Sequence, residues 1–191
     1  GHEVLVVTGS WTHLRKRQFS LRQAWRLVDV EGVDYLPLPG NRYQGNGLGR
    51  VLNILLFILE LRLIQRKLLR WEPTIVIASS THNFDVPAAV RISRRSGARF
   101  VYELHDLWPL TPMTVQGWSR SHPLIRLISR NEDLACAEAD AVISILPMTR
   151  EYLVTRGMAA ERWHHVSNGV PEQLLVTPSD ASTAEIGRAH V

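Results

Sequence analysis

The sequence predicts an α/β protein built on a doubly wound parallel sheet, and three observations carry that prediction. From residue 74 onward, short continuous apolar runs alternate with segments of helical period, in the order strand, helix, strand, helix, strand, helix, strand. The apolar runs lack polar alternation, as expected of parallel strands buried on both faces. Glycine and proline sit at the ends of these segments and not inside them, so the connections are short.

Taken in order, residues 4–8 (Val-Leu-Val-Val-Thr) form the first buried strand. Residues 9–24 are polar, basic and irregular and read as a loop. Residues 25–30 and 33–36 flank Glu31-Gly32, whose glycine suits a tight hairpin turn. The stretch 37–49 holds two prolines and four glycines and reads as a mobile surface loop. Its Gly45-Asn46-Gly47-Leu48-Gly49 follows no strand, so it reads as a flexible loop and not as a phosphate cradle.

Residues 50–71 carry a long helical pattern, apolar nearly all round in its first half. The second half sets Arg62, Arg66, Lys67 and Arg70 beside Leu63, Ile64, Leu68 and Leu69. Two readings stand: a helix packed deeply against the sheet, or a basic amphipathic helix lying on an anionic membrane surface, with Arg62, Arg66 and Lys67 as the lipid-facing cations. It is too short to span a bilayer.

Pro73 ends that helix, and residues 74–78 form the next strand. It runs into Ser79, Ser80, Thr81 and His82, small polar groups at a strand's carboxyl end that suit ligand binding as well as helix capping. Asn83 is positioned to cap a helix over 85–96 that Gly97 closes. The strand 99–104 then delivers His105 and Asp106 before Trp108-Pro109, which cannot continue it. In open α/β sheets, ligand-contacting groups sit just outside the carboxyl ends of strands. An imidazole with a carboxylate close by to orient it is suited to handling a hydroxyl, which makes His105 and Asp106 the candidate catalytic pair. A loop with Pro109, Pro112 and Gly117 follows. Pro123 opens a helix, 140–146 is a strand, 147–156 a helix closed by Gly157, and 163–166 the last strand, ending at Ser167-Asn168-Gly169.

Composition bounds the function. The chain has 191 residues, 45% apolar and 21% charged, ordinary for a globular domain. One cysteine, Cys136, excludes an internal disulfide and a cysteine-based zinc cluster, and reads as a small core residue. No G-x-G-x-x-G follows a strand and no Walker A or H-E-x-x-H occurs, and His164 and His165, adjacent on a strand, cannot both ligate one metal from the same face, so no metal site and no cofactor are expected. The net charge of +4 favours anionic partners. A non-catalytic basic module gripping nucleic acid or a membrane surface is the alternative reading. The arginines are spread over several helices and no aromatic-rich binding strand occurs, so no nucleic-acid partner is expected.

Six segments in order resemble glycosyltransferase family 4. Gly1-His2-Glu3-Val4-Leu5-Val6-Val7-Thr8 is similar to the family's "GHEVTVVT", and Ile77-Ala78-Ser79-Ser80 to "IIASSP". Glu103-Leu104-His105-Asp106-Leu107-Trp108-Pro109 resembles the "DLWP" segment of the branch that builds bacterial surface polysaccharides, lipopolysaccharide among them. The segments from Glu138 to Ser144, Glu151 to Gly157 and Val166 to Val170 resemble "KADxVIxxT", "xYLxxRG" and "IPNGVD", with Pro171 where the family usually has Asp.

The resemblance implies the Rossmann-like N-terminal half of a GT-B fold over residues 1–171. It lacks the family's first strand, and a truncated linker occupies 172–191. The final Glu185–Val191 segment is expected to be translated sequencing adapter, leaving the protein truncated at both ends. The resemblance further implies a retaining glycosyltransferase that needs no metal. It would take a nucleotide-sugar donor, held by a second domain with an E-x7-E motif, and a saccharide or lipid-linked acceptor. The place of action would be cytoplasmic, peripheral on the inner face of the cytoplasmic membrane. On this reading His105 bonds sugar hydroxyls or the reacting region, and Asp106 supports its loop. Ser79, Ser80, Thr81 and His82 line the acceptor cleft, and Asn168-Gly169 marks the hinge. A GT-B-fold sugar-nucleotide epimerase shares the shape but not these motifs.

Overall fold

A computed structural model describes residues 1–12, 15–45, 47–79 and 82–169. Ser80 and Thr81 of the predicted hydroxyl cluster, and the predicted linker 172–191, lie outside the described residues.

Three strands, β1 (Leu5–Gly9), β2 (Val28–Val30) and β3 (Val33–Leu38), form one sheet in the order β1-β3-β2. β1 and β3 are parallel, and β2 and β3 form the expected antiparallel hairpin. Its turn places Glu31 and Gly32 at φ 55° and 82°, the left-handed pair that matches hairpin twist. β3 runs on to Leu38, and Pro37 and Leu38 are buried, so the expected surface loop begins later than the prolines suggested. Its beginning is pinned to the end of β1. The Ser10 amide donates to the Leu38 carbonyl at 2.7 Å, and the Gly40 amide to Ser10 Oγ at 3.1 Å. A Cβ on Gly40 would come within 2.5 Å of Asn53 Nδ2, so any larger residue there would have to displace the Asn53 amide, which donates to the Asn41 carbonyl at 2.9 Å.

The predicted long helix is α1 (Leu48–Leu63) followed, after Ile64, by the short α2 (Gln65–Leu69). One side of α1 buries Asn53 and Leu61, while Leu48, Leu55, Leu59 and Leu63 on other positions stay mostly exposed. The helix packs on one side, as the core reading expects, and leaves a leucine stripe exposed on the other. Among the described residues no helix is long and apolar enough to cross a membrane.

The second sheet comprises β4 (Ile75–Ala78), β5 (Arg99–Leu104), β6 (Ala141–Ser144) and β7 (Trp163–His165), all parallel in the predicted order β4-β5-β6-β7. The α/β class and the parallel sheet are as the sequence predicts. Between β4 and β5 lies α3 (Val86–Ser96), closed by Gly97 at φ 71°, the left-handed value expected of a C-terminal glycine. Its cap is Asp85 and not Asn83. Asn83 is buried, and its Nδ2 donates to the Ile128 carbonyl at 3.3 Å.

The segment expected to be a loop after β5 contains a helix, α4 (Leu110–Gln116). Pro109 and Pro112 fall at its start, where helix amides have no partner to lose, so the prolines begin a helix instead of preventing one. Then come α5 (Pro123–Glu138) and α6 (Arg150–Thr155).

The main core packs Phe100, Tyr102, Leu104 and Val142 of the sheet against Val86, Ala89 and Val90 of α3 and Ala135 and Cys136 of α5. A second cluster joins Leu36 and Leu38 of β3 to Leu61, Leu68, Ala88 and Ile92, with Leu5, Val7 and Val76 against it, and so ties the two sheets together. Among the described residues β1 pairs only with β3 and β4 only with β5. Coverage differs from a fully doubly wound sheet at β4: Ile75 and Ile77, on the face away from α3, are each 55% exposed.

Candidate functional site

β4 and β5 lie side by side with Ala78 opposite Tyr102, so the chain leaves both strands at the same end. Ser79 follows β4 directly and His105 follows β5. Their side chains meet, with Ser79 Oγ 3.0 Å from His105 Nε2. The Glu103 carboxylate lies 3.6 Å from the same nitrogen. Strand alternation explains the trio, because Glu103 and His105 are two residues apart and share a face.

Hydroxyl and carboxylate both address Nε2. This is not a relay through the ring, in which the two partners would take opposite nitrogens. A proton on Nε2 satisfies both contacts, donating to Ser79 and facing the Glu103 charge. All three side chains keep access to solvent, with His105 and Glu103 at 29% and 30% side-chain exposure.

The expected His105–Asp106 partnership is corrected. Asp106 lies one residue further on and turns the other way. Its Oδ1 accepts from the Thr111 hydroxyl at 2.9 Å, fixing the loop onto the first turn of α4. The carboxylate beside the imidazole is Glu103, which sequence reasoning missed. The signal was present: the one acid of the strand, two residues before a strand-end histidine.

His82 sits in the turn before α3. Its Nδ1 accepts from the Phe84 amide at 3.3 Å and its ring stacks on Phe84 with centroids 5.6 Å apart. Burial pushes its pKa below the ordinary histidine value; Asp85 opposes this and Arg50 adds to it. It is therefore a neutral, turn-forming imidazole at physiological pH. Asn168 and Gly169 are exposed and follow β7 without regular structure. Arg62, Arg66 and Lys67 are exposed at the end of α1 and in α2. Lys67 Nζ donates to the Trp25 carbonyl at 2.8 Å, and the Trp25 indole donates to Glu60 at 2.8 Å.

Deeper in the fold, Glu132 is fully buried on α5. One of its oxygens accepts from Tyr152 at 2.6 Å and from Arg156 at 3.1 Å, and Arg156 also reaches Asp133 at 2.8 Å. This network ties α6 to α5. Burial raises the Glu132 carboxyl above its usual range despite these partners. Cys136 is buried and unpaired, as read from the sequence, and burial pushes its thiol up to about 12.

The family model of the glycosyl transferase 4-like domain matches residues 1–169. The chain belongs to that family. Among solved structures, the Anabaena protein HepE in complex with UDP is similar at 15% identity and a TM-score of 0.55, over 95% of this chain and 48% of HepE. HepE in complex with UDP-glucose gives 17% identity and a TM-score of 0.48, over 80% of this chain and 35% of that one. At 15% identity the likeness to HepE in complex with UDP is one of fold, that of the Rossmann-like half of a GT-B fold. The chain spans between a third and a half of the length of these structures. A comparison with proteins of curated function gives no significant match.

Proposed function

We propose that this chain is the acceptor-side half of a retaining glycosyltransferase that moves a sugar from a nucleotide-sugar to a saccharide acceptor, lipid-linked, in bacterial surface-polysaccharide synthesis. In the reaction the bond from the anomeric carbon to the nucleotide's phosphate oxygen breaks. A bond from that carbon to an acceptor hydroxyl oxygen forms, and the hydroxyl proton must be taken up. The observation that carries the reading is the Ser79–His105–Glu103 cluster at the carboxyl ends of two adjacent parallel strands. Such a position suits a group that holds and orients a reacting hydroxyl. Asp106, through Thr111, positions the loop that carries the histidine.

Ser79 and His82 would contribute to the acceptor side, and Asn168-Gly169 would serve as the hinge toward the donor-holding part of the protein. The work is proposed to take place on the inner face of the cytoplasmic membrane. The exposed leucine stripe of α1 beside Arg62 and Arg66 supports that placement.

The test uses the longest protein that carries this chain, with UDP-glucose as the first donor. His105→Ala should lower transfer by a factor of about ten to a thousand, the usual effect of losing a hydrogen bond to a reacting group. Donor affinity should stay near wild type. Glu103→Gln should lower turnover by a smaller factor than His105→Ala. Wild-type turnover in a folded His105→Ala protein would make the histidine a structural loop residue.

A further inference from the structure

We propose that a second cleft, at the carboxyl ends of β1 and β3, binds an acidic saccharide unit, meaning a sugar that bears a phosphate or a carboxylate. This assignment rests on the acceptor role proposed above and gives that acceptor a chemistry.

The cleft holds about 420 Å³ and is lined by Ser10 and Trp11, which leave β1, by Phe19 and Ser20, and by Gly40 and Arg42, which follow β3. That volume is within the range of small-molecule sites, and the ends of parallel strands are where α/β sheets collect ligands. It is separate in residues from the Ser79–His105–Glu103 cluster.

The walls are aromatic and fixed. The Trp11 indole donates to the Tyr43 carbonyl at 3.3 Å, and the Arg42 guanidinium lies 5.4 Å from the Trp11 ring centroid. Phe19 is held between the Arg15 guanidinium, 4.8 Å from its centroid, and the Tyr35 ring at 5.8 Å. Rigid ring faces suit the apolar C–H faces of a pyranose.

The charge is one-signed. Among the described residues no acidic side chain lines the cleft, and Arg42 has no carboxylate within ion-pair distance. A guanidinium parked over an indole keeps its N–H fork for an anion, and the fork matches the oxygens of a phosphate or carboxylate. The floor adds the buried Ser10, whose hydroxyl oxygen accepts from the Gly40 amide, leaving its O–H as a donor. Gln18, also at the cleft, is already committed to the backbone of Thr12 and braces the loop.

The experiment is calorimetric binding of the full chain to glucose 1-phosphate, glucuronate, glucose, inorganic phosphate and uridine monophosphate, with no donor present. Both acidic sugars should bind at least about tenfold more tightly than glucose or phosphate alone, the usual gain from one charge-assisted contact. Arg42→Gln should erase that preference and leave weak sugar binding. Trp11→Ala should weaken all three sugars, and Trp11→Phe should restore most of the loss, which separates a missing ring from a damaged fold.

Equal affinity for glucose and the acidic sugars would overturn the proposal, as would acidic-sugar binding untouched by Arg42→Gln. Phosphate binding as tightly as glucose 1-phosphate would make this an anion site without a sugar, and tighter nucleotide binding would make it a nucleotide site; either result overturns the assignment. Because no donor is used, failed sugar transfer with intact binding sinks the proposed function alone. Intact transfer without binding sinks this cleft alone.

Discussion

Reversing Arg62 and Arg66 to glutamate should release the protein from anionic bilayers. The two residues are one helical turn apart on the exposed side, beside Leu59 and Leu63, of which Leu63 is 68% exposed. Lys67 is a poorer target, because its ammonium is engaged by the Trp25 carbonyl. A basic side chain at an anionic surface contributes about 1 kcal/mol, so neutralising two removes about 2 kcal/mol and reversing them about 4 kcal/mol. On the partition coefficient those are factors of about thirty and about a thousand. The loss should shrink as salt rises, since the Debye length falls to about 8 Å at physiological ionic strength.

The assay is co-sedimentation with vesicles of graded phosphatidylglycerol content. Leu55→Ser with Leu59→Ser tests the apolar half: it should weaken binding at every lipid charge by a similar factor. Arg91→Glu with Arg95→Glu on α3 makes the same change in net charge elsewhere, and should cost little. Partitioning of the Arg62/Arg66 variant that matches wild type, or an equal loss from the α3 control, would refute docking through α1. The leucine stripe would then belong against protein.

Other outcomes follow from the buried network and the core. Arg156→Ala should lose about 3–5 kcal/mol in urea unfolding at neutral pH, because it leaves the fully buried Glu132 carboxylate without its cation. Burial raises the Glu132 pKa in the folded state, so its contribution to stability is fully present below the ordinary carboxyl value of 4.5 and is lost as pH rises through the folded value. The Arg156→Ala deficit should therefore shrink on acidification, and a loss independent of pH would remove the charge from the explanation. Cys136 behaves likewise at the alkaline end. With its thiol raised from 9.0 to about 12, the unfolded chain ionises first, and stability should fall by about 1.4 kcal/mol by pH 10. Thermal melts of Cys136→Ala across pH 8 to 11 should show a shallower decline; an identical decline would place the titration elsewhere.

The parallel sheet was legible because its strands are continuous apolar runs, a pattern set by burial and hence readable residue by residue. α4 was not, because Pro109 and Pro112 are helix breakers by propensity and helix starters by position, and only the frame of the helix decides which. The loop after β3 was misread for a related reason. Its glycines signal freedom, yet Gly40 is there for a close approach to Asn53, a contact made across 13 residues that no local pattern contains. In the candidate site, His105 and Ser79, both singled out from strand ends, are brought within 3.0 Å of each other. Glu103 was missed because proximity in sequence favoured Asp106, whereas the pleat puts second neighbours, not first, on one face.

That same pleat sets the direction in which the site opens. Phe100, Tyr102 and Leu104 of β5 face the helices and are fully buried, while Val101 and Glu103 between them are only half-buried. His105 continues the second set, so the Ser79–His105–Glu103 cluster stands on the face where Ile75 and Ile77 are exposed, away from α3 and α5. Asp106 follows the first set and is spent on Thr111. In the proposed reaction an acceptor hydroxyl must therefore approach from the less covered face of the sheet. A bulky substitution there, such as Val101→Trp, should block the acceptor while leaving the core and α4 undisturbed. Transfer kinetics that show a raised acceptor KM with unchanged thermal stability would bear this out. An unchanged acceptor KM in that variant would mean the hydroxyl reaches His105 from another side, and the face assignment would fall with it.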